Sequence, residues 1–530
     1  MKHFNVTFRP DGRQVSIHAG ATLTEAAGQA GIILNSICGG KGTCRKCLVS
    51  IGADAQKVLA CQYRIETDLV VTILPQSRFF EQKILAHGIE AEAIGPPDIF
   101  KKYLKIASSD KIFGIAVDIG TTTVVAKLID MTDGSCLATE SALNPQTQFG
   151  DDCISRISYA KTDEKLAQLQ KVIIDCINEL TAKLCSANSI DANGIYEMCV
   201  VGNTTMNHIF LKLPVKQLGQ APYKAFSVDG RDIPGGQLPV QINPAGNIHT
   251  VENIAGFVGS DITAAAFAAN IDSAEEVTLL VDIGTNGEIV LAAKNKLYAA
   301  SCAAGPALEG ARISCGSRAQ QGAIEAVVIN DGDIDVDVIG AGQPRSICGS
   351  GLIDAVAVLL NLGIVDKTGR FVRTGSLSEK LPAKILSRIG EQAGQPAFCL
   401  FETAGADRKK LLLTQKDIRE VQLAKAAVRA GIKLLQKKIG LEDSDIKHIF
   451  LAGAFGNYIR KENAIRVGLL PDIPTERIVF IGNAAASGAQ MLLPGSRARE
   501  LAKELARKIE YIEIANEQDF TTVYTDSISF

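Results

Sequence analysis

Tryptophan is absent from this chain, which by itself excludes little, but other absences are more telling. Its six histidines are scattered with no metal-ligand spacing and read as structural or surface residues. No apolar run reaches the roughly 18 residues a membrane span needs. Met1-Lys2-His3-Phe4-Asn5 lacks the apolar core of a signal peptide. A cytoplasmic protein that touches no membrane is therefore expected. The net charge of −3 over 530 residues argues against a nucleic-acid-binding body. What is present is 46% hydrophobic and 21% charged residues, with ample core for about three domains. Thirteen cysteines in such a chain read as metal ligands and buried thiols rather than disulfides.

Two short stretches echo each other 164 residues apart. They are Val117-Asp118-Ile119-Gly120-Thr121-Thr122-Thr123 and Val281-Asp282-Ile283-Gly284-Thr285-Asn286-Gly287-Glu288. Each follows a β-branched apolar run, 113–117 or 277–281, and leads into further strand-like residues, 124–129 or 289–291. The pattern predicts strand, tight turn, strand, with a carboxylate at the end of the first strand. Such a turn offers N–H groups and hydroxyls to an anion, and the Asp can hold Mg²⁺ through water. One copy alone reads more readily as an ordinary hairpin. Two copies point to a duplicated fold whose halves clamp one phosphate chain.

Residues 1–75 read as a small β-grasp, ferredoxin-like module. Phe4, Val6 and Phe8 alternate before a turn at Pro10-Asp11-Gly12, and Val15 and Ile17 resume the alternation. Thr22 and Glu25 form a capping box for a short helix through about Ala30, and Leu69, Val71 and Ile73 supply a later strand. Between helix and strand lie Cys38, Cys44, Cys47 and Cys61, the first two separated by a Gly-rich loop. Four thiolates so arranged suit a [2Fe–2S] cluster with a potential near about −400 mV. A structural zinc site is the rival, although zinc ribbons use two C-x2-C knuckles and only Cys44 and Cys47 form one. The spacing resembles [2Fe–2S] ferredoxins, with a first gap of five residues rather than the plant-type four. Residues 76–110, with Gly95-Pro96-Pro97, read as a linker: a flexible tether for an electron carrier, or a simple spacer.

Residues 111–530 read as one α/β unit in two halves, about 111–270 and 271–530. In the first, Asn144 to Asp152 and a helix over about 163–187 follow the turn, and a strand from Met198 ends in Gly202-Asn203-Thr204-Thr205. In the second, a helix is expected around Pro306 to Ile313. A long amphipathic helix is expected from Lys416 to Lys438, with Val421, Ala424, Val428, Ile432 and Leu435 on one face. A strand from His448 ends in Gly453-Ala454-Phe455-Gly456-Asn457, a turn against which a base or ribose can lie. Gly482-Asn483-Ala484-Ala485 opens a small-residue helix suited to close packing at a hinge.

The two D-I-G-T/N turns, the late G-A-F-G-N and the internal symmetry resemble the actin-like, ribonuclease H-like superfamily of ATPases, which includes acetate kinase, sugar kinases and heat-shock chaperones. The resemblance is closer to the ATP-dependent reductive activators of corrinoid proteins, which carry an N-terminal [2Fe–2S] domain on such an ATPase. Matching stretches run from Ala303 to Ala311, from Cys348 to Asp354, and from Gln422 to Lys425. Some activators have an extra middle domain after the linker, and here the ATPase is expected to begin almost at once without one.

The resemblance implies a one-electron reductase. It returns a corrinoid methyltransferase protein from cobalt(II) to cobalt(I) through its cluster while ATP is hydrolysed, and is itself refilled by an upstream low-potential donor. A homodimer through the ATPase halves fits the same resemblance. It implies that Thr121, Thr122, Thr123, Gly284, Thr285 and Asn286 bind phosphates, that Asp118 and Asp282 hold Mg²⁺ and its waters, that 453–457 borders the adenosine, and that Glu309 touches the ribose. Cys302-Ala303-Ala304-Gly305 also resembles the C-A-A-G of 2-hydroxyacyl-CoA dehydratase activators, where that Cys holds a [4Fe–4S] cluster. Cys315 or Cys348 would be the second ligand, against the plainer reading of three buried thiols. Donation to another low-potential enzyme, a redox-sensing ATP-switched chaperone and a small-molecule kinase are the rival functions. The cysteine set argues against the kinase, and the short tail after residue 500 against the chaperone.

Overall fold

A computed structural model describes the chain except residues 1, 11, 31, 33, 35–46, 53–54, 75–96, 106–110, 311, 341, 404–408 and 454–458. Cys38 and Cys44 lie outside the described residues, as do Ala454, Phe455, Gly456 and Asn457.

The N-terminal alternation folds as expected. Strands β1 (His3–Arg9), β2 (Arg13–His18), β3 (Leu48–Ile51), β4 (Gln56–Leu59) and β5 (Leu69–Ile73) form one sheet in the order β2-β1-β5-β3-β4. Phe4, Val6 and Phe8 point to its core. The helix Leu23–Gln29 begins at a reciprocal cap: Thr22 N–H donates to Glu25 Oε2 (2.6 Å) and Glu25 N–H to Thr22 Oγ1 (3.2 Å). The sheet touches the distant body through His3 Nε2, 2.6 Å from Asp337 Oδ1.

The body holds two six-stranded sheets. The first uses β6 (Phe113–Ile119), β7 (Thr123–Asp130), β8 (Cys136–Leu143), β9 (Ile195–Gly202), β10 (Arg231–Pro234) and β11 (Asn247–Thr250), in the order β10-β11-β9-β6-β7-β8. The second begins with β12 (Thr278–Ile283), β13 (Gly287–Ala293) and β14 (Lys296–Cys302). Two small sheets follow in sequence, built from β15 (Ala323–Asn330), β16 (Asp333–Val338) and β17 (Ser346–Ile347), and from β18 (Ile389–Gln392), β19 (Gln395–Glu402) and β20 (Lys410–Thr414). Then β21 (His448–Ala452), β22 (Ile478–Gly482) and β23 (Ile509–Tyr511) complete the order β22-β21-β12-β13-β14-β23.

The core orders β11-β9-β6-β7-β8 and β22-β21-β12-β13-β14 are the same plan twice. In each, the strand ending in the Asp runs parallel to one neighbour and antiparallel to the other. All seven residues of β6 and all eight of β9 are buried, as central strands covered on both faces require. Helices Asp163–Asn188 and Gln415–Ile439 cover the outer faces. The expected helix at 306–313 is shorter, a 3₁₀ turn over Pro306–Glu309 that Gly310 ends at φ +85°.

The halves meet through two small-residue helices, Ser260–Ala268 and Ala484–Leu492. They cross so closely that a Cβ on Gly488 would lie 2.1 Å from the Ala264 carbonyl oxygen. Part of the linker is docked as well, which departs from a tether free along its whole length. Asp98 accepts from Ser496 N–H (2.8 Å) and caps the helix Ser496–Lys508. The Tyr103 hydroxyl donates to Glu197, which also meets Lys102 and Arg499. Glu197 is fully buried, and a buried carboxylate holds its partners because leaving it unpaired costs several kcal/mol, about 3–5.

Substituting Gly488→Val should force the two helices apart at a cost of about 1–3 kcal/mol. Thermal unfolding should show a lowered Tm, and an unchanged Tm would contradict this crossing.

Candidate functional site

The turns after β6 and β12 face each other across a cavity of about 600 Å³, a size that suits a nucleotide. Its lining includes Asp118, Thr121, Thr122, Thr123, Asp282, Gly284, Thr285, Asn286, Glu309 and Gly453. Every described candidate for the nucleotide site is thus in one cleft. The turns are held from behind. Asn144 Nδ2 donates to Gly120 O (2.8 Å), Asn203 Nδ2 to Thr121 Oγ1 (2.9 Å), and Arg156 is buried against Gly150 and Gln146. Gly453 sits at φ +92°, where a Cβ would come 2.7 Å from both Asp282 Oδ1 and Ile283 O. The chain can pass there only as glycine.

Several site residues were not assigned from sequence. Asp261 lies in the first turn of the helix Ser260–Ala268 and faces the cleft. Its signal was the echo of Gly482-Asn483-Ala484 in Gly259-Ser260-Asp261, each opening an alanine-rich helix after a sheet. Asn483 is the reciprocal piece: its side chain caps its own helix through Ala486 N–H (2.8 Å) and donates to Asp118 Oδ2 (2.8 Å). Arg318 and Ser350 also line the cleft; nothing in the local sequence marked Arg318.

Glu288 stands directly across from Asp282 in the β12/β13 register, where the first half pairs Asp118 with Val125. Like charges directly opposite are destabilising, so the two halves of this duplicated site are chemically unequal. Withdrawal from water pushes Asp118 up to about 6, against the opposing hydrogen bond from Asn483. Burial, and then the charge of Asp118, lifts Asp282 to about 7. Asp261 is raised to about 8 by burial and by both of these carboxylates. Glu288 is raised well above the usual range by burial and by Asp261 and Asp282. Four buried carboxylates thus line one cleft, although among the described residues no three acidic side chains converge closely enough to form a ready-made metal site.

Glu309, expected at the ribose, lines the cleft beside the two phosphate turns. Thr285 Oγ1 donates to its Oε1 (2.6 Å) and Thr122 Oγ1 to its Oε2 (3.2 Å). Both oxygens are committed to the phosphate turns, one from each half.

In the N-terminal module, Cys47 and Cys61 are buried with their sulfurs 3.3 Å apart. Two thiolates on one tetrahedral metal with bonds of about 2.3 Å lie nearly that close, so the described half of the cysteine set fits a shared iron. The other candidates are dispersed in plain packing. Cys302 lies against Gly431, whose Cβ would be 2.2 Å from its sulfur. Cys315 Sγ donates to Leu412 O (3.2 Å), and Cys348 Sγ lies 3.4 Å from Ser350 Oγ. Burial raises the pKa of all three thiols, the behaviour of inert cysteines.

Three family models match the chain: "2Fe-2S iron-sulfur cluster binding domain" over residues 4–74, "RACo middle region" over 113–274, and "C-terminal domain of RACo the ASKHA domain" over 276–530. The second match overturns the expectation that a middle domain is missing. The stretch read as the first half of the ATPase is that region, and its strand order repeats the other half's. Corrinoid activation enzyme RamQ of Eubacterium limosum is 34% identical over 98% of this chain and 97% of its own. The [Co(II) methylated amine-specific corrinoid protein] reductase of Methanosarcina barkeri is 24% identical over 79% of this chain and 77% of its own. A solved structure described as a reductive activator for corrinoid, iron-sulfur protein superposes with a TM-score of 0.72, at 31% identity over 99% of this chain and 98% of that one.

Gly453→Ala should strain a left-handed backbone by about 1–3 kcal/mol and push against Asp282. ATP hydrolysis should fall at least about tenfold, the equivalent of 1.4 kcal/mol, while circular dichroism stays native. Undiminished hydrolysis would show that this close approach is not needed.

Proposed function

The chain belongs to the family of reductive activators of corrinoid proteins, and we propose that it uses ATP to pass one electron from its [2Fe–2S] domain to a cobalt(II) corrinoid protein, returning the cobalt to cobalt(I). One observation carries the reading. A single chain joins a buried thiol pair in a [2Fe–2S] module to a cleft in which two Thr-bearing turns and a set of carboxylates face one another.

In that reading Cys38, Cys44, Cys47 and Cys61 hold the cluster, which when bound supplies the single electron. Thr121 to Thr123 and Gly284 to Asn286 surround the phosphates with hydroxyls and N–H groups, and Arg318 adds a cation at the rim. Asp118 and Asp282, which face the same cleft, hold Mg²⁺ through its waters, with Asp261 and Glu288 beside them. Residues 453–457 border the adenosine. Because Asn483 bonds Asp118 from the far end of the chain, a change at the phosphates reaches the crossed helices between the halves. The corrinoid acceptor lies below a plant-type cluster in potential, and each 59 mV of that gap costs a factor of about ten in the one-electron equilibrium. Nucleotide can offset it only by interacting differently with two states of the complex.

The same reading divides the chain into a cluster module at 1–75, a linker at 76–110 and the ATPase at 111–530. It includes an upstream low-potential donor, since a one-electron carrier must be refilled at each turnover. It also includes a cytoplasmic setting, in keeping with cysteines that read as metal ligands and buried thiols rather than disulfides. A homodimer through the ATPase halves rests on the resemblance alone.

Two variants should separate the parts. Cys44→Ala should abolish the visible cluster spectrum and leave ATP hydrolysis, and Asp282→Ala should do the reverse; full iron content in Cys44→Ala would refute the ligand assignment. The activity itself is tested anaerobically by mixing the reduced protein with a cobalt(II) corrinoid methyltransferase subunit and recording spectra before and after MgATP. Cobalt(I) should form only with ATP. A flat spectrum with several corrinoid proteins and a reduced cluster would point to another acceptor.

A further inference from the structure

The two phosphate turns are already bridged by an anion of the protein's own. Each Thr hydroxyl has one proton to give, and Thr122 and Thr285 both give theirs to the Glu309 carboxylate, at 3.2 and 2.6 Å. Thr122 follows β6 in the first half and Thr285 follows β12 in the second, so one side chain ties the halves together across the cleft. Its backbone cannot easily give way. Ala307 and Leu308 are buried in the core, and a Cβ on Gly310 would lie 2.2 Å from Ser317 O. The side chain is only partly buried and is the part able to move.

We propose that Glu309 is a built-in competitor for the nucleotide: its carboxylate occupies the phosphate-site hydroxyls of both halves until the phosphates of a nucleoside triphosphate displace it. The inference rests on the ATP-site reading and adds a mechanism to it. Carboxylate and polyphosphate seek the same two hydroxyl protons and repel each other, so both cannot hold them. Displacement replaces the carboxylate bridge between the halves by one made through the nucleotide. The nucleotide-free and ATP-bound clefts then differ in what joins the halves. A site whose donors are engaged for most of the time binds its ligand more weakly in proportion to the free fraction.

The test is equilibrium binding of Mg-ATPγS to the full-length protein by calorimetry, comparing the native chain with Glu309→Gln and Glu309→Ala. Loss of a competitor tightens binding. Glu309→Ala should lower Kd about tenfold, and Glu309→Gln, which keeps one acceptor and loses the charge, several-fold. Disrupted structure would weaken binding instead, so the direction of change distinguishes the two. Should the alanine variant fail to fold, the glutamine variant carries the test. Unchanged or weaker binding in a folded variant with an intact cluster spectrum would overturn the proposal. If the native chain itself binds no ATPγS, the ATP-site reading fails, independently of Glu309.

Discussion

The burial of Asp118, Asp261, Asp282 and Glu288 together in one cleft is the constraint around which the body of this protein is arranged. None of the four reaches its position alone. Two strands end in an aspartate, a third strand places Glu288 beside one of them, and a helix brings Asp261 across from the other half. Burial raises all four above the usual carboxylate range, and neighbouring carboxylates add to the shift at Asp261, Asp282 and Glu288. Burying ionised carboxylates together is costly in the folded state, and each is pushed toward its neutral form in consequence.

Duplication supplies the architecture, and departures from it supply the function. Both sheets share one core order, and the helices that follow β11 and β22 cross at a glycine. Each half lends a residue to the other's site, Asp261 one way and Asn483 the other. Yet Glu288 has Val125 as its counterpart. The second half therefore pairs two acidic residues across its strands where the first half pairs one with a valine, whereas the run of three threonines lies in the first. A substrate laid across the cleft meets two different faces.

The docked stretch of linker joins the parts in a way that composition does not reveal. Asp98 caps a helix from the end of the chain, and Tyr103, Lys102 and Arg499 converge on buried Glu197. Residues 97–105 thus belong physically to the ATPase body, and the N-terminal sheet meets it again through His3 and Asp337.

Much of this was determined by the sequence alone. The alternation of Phe4, Val6 and Phe8, the Thr22–Glu25 cap, the two Asp-Ile-Gly turns and the small-residue helix at Ala484 are local patterns. They carry their own geometry, since side-chain period, capping and turn chemistry act over a few residues. The tertiary structure decided what those patterns face. That Asp261 joins Asp282, that Asn483 reaches Asp118 across 365 positions, and that Glu309 bonds a threonine from each half all depend on the packing of two sheets. Local sequence encodes the shape of each turn. Which group stands opposite it follows only from folding, because the partner is supplied by a different element of the chain, 24 residues away for Glu309 and Thr285 and 365 for Asn483 and Asp118.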